Sequence, residues 1–202
     1  MSRVARSARV KPLLAVLLKP FVCFSRSVMQ PWRRLWSFAC LQDGIGRPLD
    51  ASNVVLGQVE LQGTCNISIG RGTLIYPGVF LETQGEGYIE IGDNVVLSRG
   101  VHIVAFKRVV LENDCLVGEY SSIRDANHRA SVVSVRDSGH DCAPILVGRN
   151  TWIGRGVAVL KGAHIGCNSI VGANAVVTRS LDEGSRAVGV PARPANAPRN
   201  LA

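Results

Sequence analysis

The chain is poor in the residues from which many binding and catalytic sites are built. Of its 202 residues only eleven are aromatic and four are histidine. Its six cysteines, at 23, 40, 65, 115, 142 and 167, include no C-x-x-C pair, which excludes zinc-ribbon spacing. They read as reduced, buried small hydrophobes, as suits the cytoplasm. Long apolar runs are also lacking. The longest early one, Leu13 to Leu18, ends at Lys19-Pro20. It is too short to span a bilayer and weak as a secretory signal. Acidic residues are missing from the first 42 positions.

That last absence locates the net charge of +8. Residues 1–49 hold nine Lys or Arg against one acid, Asp43, while residues 50–202 hold fourteen of each sign. A neutral body gives no electrostatic footprint for nucleic acid, so the charge belongs to a basic N-terminal extension. With Phe21, Val22, Phe24, Trp32 and Trp36 among its basic residues, the extension reads as helical and amphipathic. Two roles stand open for it. It can cap the first layer of the body, or it can touch the inner face of a membrane peripherally.

What the chain does have is glycine, 21 of them, and aliphatic residues at a fixed period. From Val147 the sequence divides into sixes that open with Val147, Ile153, Val159, Ile165, Val171 and Val177. Upstream the same spacing recurs in three sets: Ile69, Ile75, Leu81; Ile91, Leu97, Ile103; and Leu111, Val117, Ile123. Six residues supply one short strand and one turn, with an inward aliphatic side chain once per face. Three such units make one coil of a triangular prism, and stacked coils bury a continuous aliphatic column. The frame slips by four and by two residues between the upstream sets, as small insertions at turns would produce. The expected fold class is therefore an all-β parallel β-helix over 50–186, after a helical extension over 1–49 and before a tail over 187–202.

The repeat stops at I-R-D-A-N-H-R-A, residues 123–130. Continued, it would turn Arg129 and Asp141 into a dry aliphatic core, at several kcal/mol each unless paired. Residues 129–145 therefore read as a loop excursion, in keeping with Ser131, Ser134, Asp137, Ser138, Gly139 and Pro144. His128 precedes a frame position, so it should face outward at the root of that loop. His102, Trp152 and His164 share its place in the hexad and should also face out. His102, His164 and the loop residue His140 read as ordinary surface histidines.

The hexads, the D-A-N-H segment followed by a long loop, A-P-I-L-V-G-R-N-T-W-I-G and V-G-V-P-A-R-P together resemble the bacterial hexapeptide-repeat acyltransferases. Within them, the sugar O-acetyltransferases of maltose, galactosides, exopolysaccharide and lipopolysaccharide are the most similar groups. The resemblance covers roughly residues 54–195. It implies a left-handed coil, a homotrimer, and acetyl-CoA lying between neighbouring prisms, with no metal required. By position it implies His128 as general base. Asp125 is then a candidate to orient the imidazole, or else a turn-stabilising residue. The resemblance also places Trp152 beside the site and Arg155, Gly172, Ala173, Thr178, Arg179 and Arg193 along the acetyl-CoA path. The two last arginines suit phosphates or are plain solvated residues, and Trp152 can equally just cover apolar surface.

One departure bears on the acceptor. Where maltose and galactoside enzymes carry an Asn and an Asp that help bind the sugar, this chain has Ser98 and Phe106. An exopolysaccharide or lipid-linked sugar therefore fits better than a maltose-like one. Other readings of the fold fare worse. A γ-type carbonic anhydrase needs two zinc histidines separated by four residues, and His102, His128, His140 and His164 offer no such pair. A sugar-nucleotide N-acyltransferase would bring a G-x-G-x-x-G that residues 1–49 lack. A serine acetyltransferase would bring a large helical N-terminal domain. An acyltransferase for a non-sugar acceptor and a non-catalytic assembly protein remain as alternatives.

Overall fold

The computed structural model of the chain describes residues 3–130 and 134–195. Ser131 of the expected loop and residues 196–202 of the expected tail lie outside the described residues. A single helix, Arg3–Ile45, precedes the body. The body is a parallel β-helix whose short strands fall on three faces. On the first face Val55, Ile75, Leu97, Val117, Ile153, Val171 and Ala187 stand in register one above another. The second face runs from Val59–Gly63 to Val176–Val177, and the third from Ile67–Ile69 to His164–Ile165.

The sequence frame coincides with the core. Fourteen of its fifteen positions are at most 2% exposed, and Ile69 is the half-buried exception. A strand of two or three residues buries little alone, so each coil depends on its neighbours for an apolar environment. The frame missed a first coil, in which Val55 and Leu61 pair with Ile75 and Leu81 at a spacing of twenty residues. Eighteen-residue spacing is reached only later, where Trp152 pairs with Ile170.

Two corners of the prism turn through left-handed residues stacked in columns. Gly72, Asn94, Asp114, Asn150, Asn168 and Gly184 form one, and Gly78, Gly100, Tyr120, Gly156 and Asn174 form the other. Glycine and asparagine accept positive φ most readily, which explains why the repeat carries them there. The third corner, between the second and third faces, absorbs every insertion. Successive coils cross it by residues 64–66, 84–87 and 106–107, and then by the excursion.

That excursion is a β-hairpin. Ala126–His128 pairs antiparallel with His140–Cys142, and the chain returns to the prism at Ile145. It therefore leaves at Asp125, earlier than the expected boundary at 129. Arg129 and Asp141 are both exposed, so neither charge enters the core. At the other end, the expected boundary at 186 cuts a strand. Arg186–Val188 completes the first face and pairs antiparallel with Arg193–Pro194.

The cap and the free extension turn out to be two parts of one helix. Ser37, Leu41 and Ile45 are buried, together with Leu49 just beyond it. Gly44 lies so close to the first coil that a Cβ there would meet Leu61 Cδ1. From Lys11 to Trp36, by contrast, the described side chains are exposed except that of Ser25, which is half-buried. The cysteines also differ from expectation: Cys115 alone is buried, while Cys23 and Cys40 are exposed. The two exposed ones stand on the helix, which covers only one end of the prism.

Candidate active site

His128 sits at the end of the outgoing hairpin arm and is exposed. Its cross-strand partner is His140, and the two imidazole centroids are 4.3 Å apart at 44°. The ring of Phe106 also packs on His140, with centroids 4.4 Å apart at 36°. Three rings thus gather on the enlarged corner, and that of His128 is the exposed one. His140 was expected to be a lone surface residue. The hairpin brings it to His128 because the arms pair in register around a turn, and that register carries no alternating hydrophobic signal in the sequence.

The hairpin is held to the prism by polar ties. Ala143 N–H donates to the Asp125 carbonyl at 2.9 Å, and Gly162 N–H to the Ala143 carbonyl at 3.0 Å. Lys161 Nζ donates to Asp141 Oδ2 at 2.5 Å. This ammonium bond holds the Asp141 carboxyl below the usual carboxylate range.

Asp125 is fully buried at the point where the hairpin leaves. Its Oδ1 accepts the N–H of Phe106, and its Oδ2 accepts those of Lys107 and Arg108, all at 2.7 Å. Three backbone N–H groups of the preceding corner are therefore satisfied by one carboxylate. As a candidate orienter of His128, Asp125 has its oxygens directed at backbone, and the rings beside the imidazole are those of His140 and Phe106. Phe106, one of the two positions that depart from the maltose and galactoside pattern, thus supplies a ring to the His128 corner.

The acetyl-CoA candidates gather on another edge. A groove of about 990 Å³ runs along the first face and its corner with the second. Trp152, Arg155, Gly172 and Ala173 line it, and so does Ser98. Gly172 also makes room for the next coil, since a Cβ there would stand 2.7 Å from Val188 Cγ1. Thr178, Arg179 and Arg193 do not line this groove. They are exposed on the last turns, and Arg193 Nη1 donates to the Ala192 carbonyl at 2.8 Å.

Among the groove residues not singled out from the sequence, Tyr120 stands apart. Tyr120 has φ +58° and holds the column position that Gly100 and Gly156 hold in adjacent coils. Its ring covers Gly100 and stands 5.7 Å from the Arg155 guanidinium carbon. The signal was available: an aromatic residue where the repeat otherwise places Gly or Asn. Such a residue stores roughly 1–3 kcal/mol of backbone strain, which tends to persist at functional sites.

Residues 144–179 match the protein family described as bacterial transferase hexapeptide (six repeats). A putative lipopolysaccharide biosynthesis O-acetyl transferase of Escherichia coli is 32% identical over 137 residues, covering 63% of this chain and 70% of the relative. The chain belongs to the bacterial hexapeptide-repeat transferase family. A probable acetyltransferase of Mycobacterium tuberculosis is 30% identical over 171 residues, 81% of this chain. This hexapeptide-repeat transferase spans only 57% of that relative's length. A galactoside acetyltransferase solved in complex with coenzyme A superposes with a TM-score of 0.53 at 20% identity, covering 83% of this chain and 81% of that one. The fold is the left-handed parallel β-helix of this family.

Proposed function

We propose that this transferase moves an acetyl group from acetyl-CoA to a sugar hydroxyl in exopolysaccharide or lipopolysaccharide synthesis in the cytoplasm, with His128 as general base. The observation that carries the reading is the position of His128. It is an exposed imidazole on the one hairpin that interrupts the described prism, backed by the rings of His140 and Phe106. The names of the relatives, acetyltransferases of lipopolysaccharide and galactosides among them, support the reaction class. The coenzyme A found with the galactoside enzyme supports the donor.

The chemistry follows from these groups. A neutral imidazole takes the proton of the acceptor hydroxyl as its oxygen attacks the thioester carbonyl, which contributes about 10²–10⁴-fold. A backbone N–H near the carbonyl stabilises the oxyanion, worth roughly 10²–10³-fold. The tetrahedral intermediate then expels the thiolate of coenzyme A, which takes the proton from the imidazolium. Trp152, Arg155, Gly172 and Ala173 would bind the donor along the groove. Thr178, Arg179 and Arg193 would carry its path to the C-terminal end, where the guanidinium groups suit its phosphates.

His128 stands on the corner between the second and third faces, whereas the groove lies against the first. One copy therefore does not bring base and donor groove to the same edge, and a neighbouring prism would. This supports a homotrimer, for which the mass in solution should be about three times 21.6 kDa. Mixing an inactive His128→Ala chain with a chain whose groove is blocked by Ala173→Trp, then unfolding and refolding them together, should restore part of the activity. Complete inactivity of such mixtures, with refolded wild type active, would place base and groove in the same chain.

The reaction itself is tested by an acceptor screen with acetyl-CoA, read by release of free thiol. Turnover should appear with a sugar or saccharide acceptor. Turnover only with amines or amino acids would move the protein to the non-sugar reading. No thiol release with any acceptor class would remove the enzymatic reading altogether.

A further inference from the structure

We propose that the stretch of the helix Arg3–Ile45 preceding its capping turns is a docking surface for an anionic lipid bilayer, and that it lies along the membrane plane. The helix is 43 residues long, and its apolar side chains divide between a buried end and an exposed stretch. Its last turns bury Leu41 and Ile45 against the prism. Leu14, Phe21, Val28 and Leu35, at intervals of seven, form a second stripe with Phe24 and Trp32, and all six are exposed. Near the prism, Trp32 and Trp36 line a groove with Gly57 and Gln58 of the first coil, while Leu14, Phe21 and Phe24 farther up the helix stay exposed.

Charge decides the occupant. Lys19, Arg26 and Arg33 recur every seven residues, each three or four residues from exposed Val22, Met29 or Trp36, which widen the apolar stripe toward them, and no acid precedes Asp43. An apolar stripe with tryptophan, flanked by basic residues, is the pattern of a helix that lies in the headgroup region of anionic lipid. No helix among the described residues is long and apolar enough to cross a membrane, so the attachment is to one face. The helix also needs a surface to cover it. Pro12, Pro20 and Pro31 lie within it, each removing a backbone hydrogen bond. Among the described side chains between Lys11 and Trp36, none is buried to compensate for that loss.

The proposal does not rest on the acetyl-transfer reading. Vesicle binding is measured without donor or acceptor, so either can fail while the other stands. The test uses the full chain with Trp152→Phe, which leaves Trp32 and Trp36 as its indoles. Flotation is compared on vesicles of phosphatidylcholine alone and of phosphatidylcholine with about a third phosphatidylglycerol, the ~30 Å hydrocarbon core of each carrying brominated acyl chains. The chain should float with the anionic vesicles, its tryptophan emission should be quenched by bromine, and high salt should release it. Replacing Lys19, Arg26 and Arg33 together by Glu should weaken binding on the order of a hundredfold while leaving the unfolding temperature unchanged. A chain that stays in solution, or binds both vesicles equally, overturns the proposal. So does a lipid-free oligomer in which Trp32 and Trp36 are already shielded and Cys23 crosslinks between copies, which would assign the stripe to a second copy of the chain.

Discussion

At the scale of single residues, Asp125 shows how the same side chain can be read in two ways that experiment separates. Its carboxylate accepts three backbone N–H groups at 2.7 Å, in full burial. In Asp125→Asn an NH₂ would face the N–H of Phe106, or those of Lys107 and Arg108, so at least one buried donor loses its acceptor. Each orphaned donor costs roughly 1–3 kcal/mol, and the unfolding temperature should fall accordingly in a thermal melt. If Asp125 acted chiefly on the His128 imidazole, Asp125→Asn would instead lose turnover with an unchanged melt. Tyr120 gives the opposite prediction. Tyr120→Gly should relieve its left-handed backbone and raise stability by about 1 kcal/mol, while the KM for acetyl-CoA rises because the ring beside Arg155 is lost. A melt and a donor titration on that variant check both halves. The two residues were unequally legible in the sequence. The bonds of Asp125 reach back across a whole coil, and Tyr120 is distinctive only once its column of Gly and Asn is seen in register.

At the scale of elements, the faces of the prism were legible and the corners were not. Inward positions such as Leu97, Val117 and Ile153 must be aliphatic because every coil presents them to the same dry column, so the period shows through in the sequence. Insertions at the third corner change spacing without changing what faces inward, and they hid the first coil with its Val55 and Leu61. The hairpin was expected as a loop because neither arm alternates apolar with polar residues. Outward residues of a face also interact along the stack. His102 lies flat on Phe80 at 4.3 Å, and burial there, with the Arg124 charge adding to it, holds its pKa below the usual 6.5. An unfolded chain takes up that proton near 6.5, and the folded chain only at lower pH. Stability should therefore decline as the pH falls from 6.5 toward the folded value, and level off below it. Thermal melts at neutral and mildly acidic pH should show this slope in the wild type and a shallower one in His102→Gln. Equal slopes would mean that the stack on Phe80 does not perturb the histidine.

At the scale of the whole molecule, the prism keeps three tasks apart. One end is capped by the helix, the groove runs along the first face, and the His128 hairpin leaves the fourth coil, about 14 Å along the axis from the first at ~4.8 Å per coil. That separation suits a chain whose chemistry is completed by a second copy and whose extension is free for a surface. The central claim remains the assignment of His128, and turnover of acetyl-CoA by the purified His128→Ala chain tests it most directly. Because His128 is exposed and, among the described residues, its ring packs against that of His140, the variant should melt at the wild-type temperature. Its kcat should fall by about 10²–10⁴-fold, the contribution expected of a general base. A His128→Ala chain that folds and turns over at the wild-type rate would contradict the account.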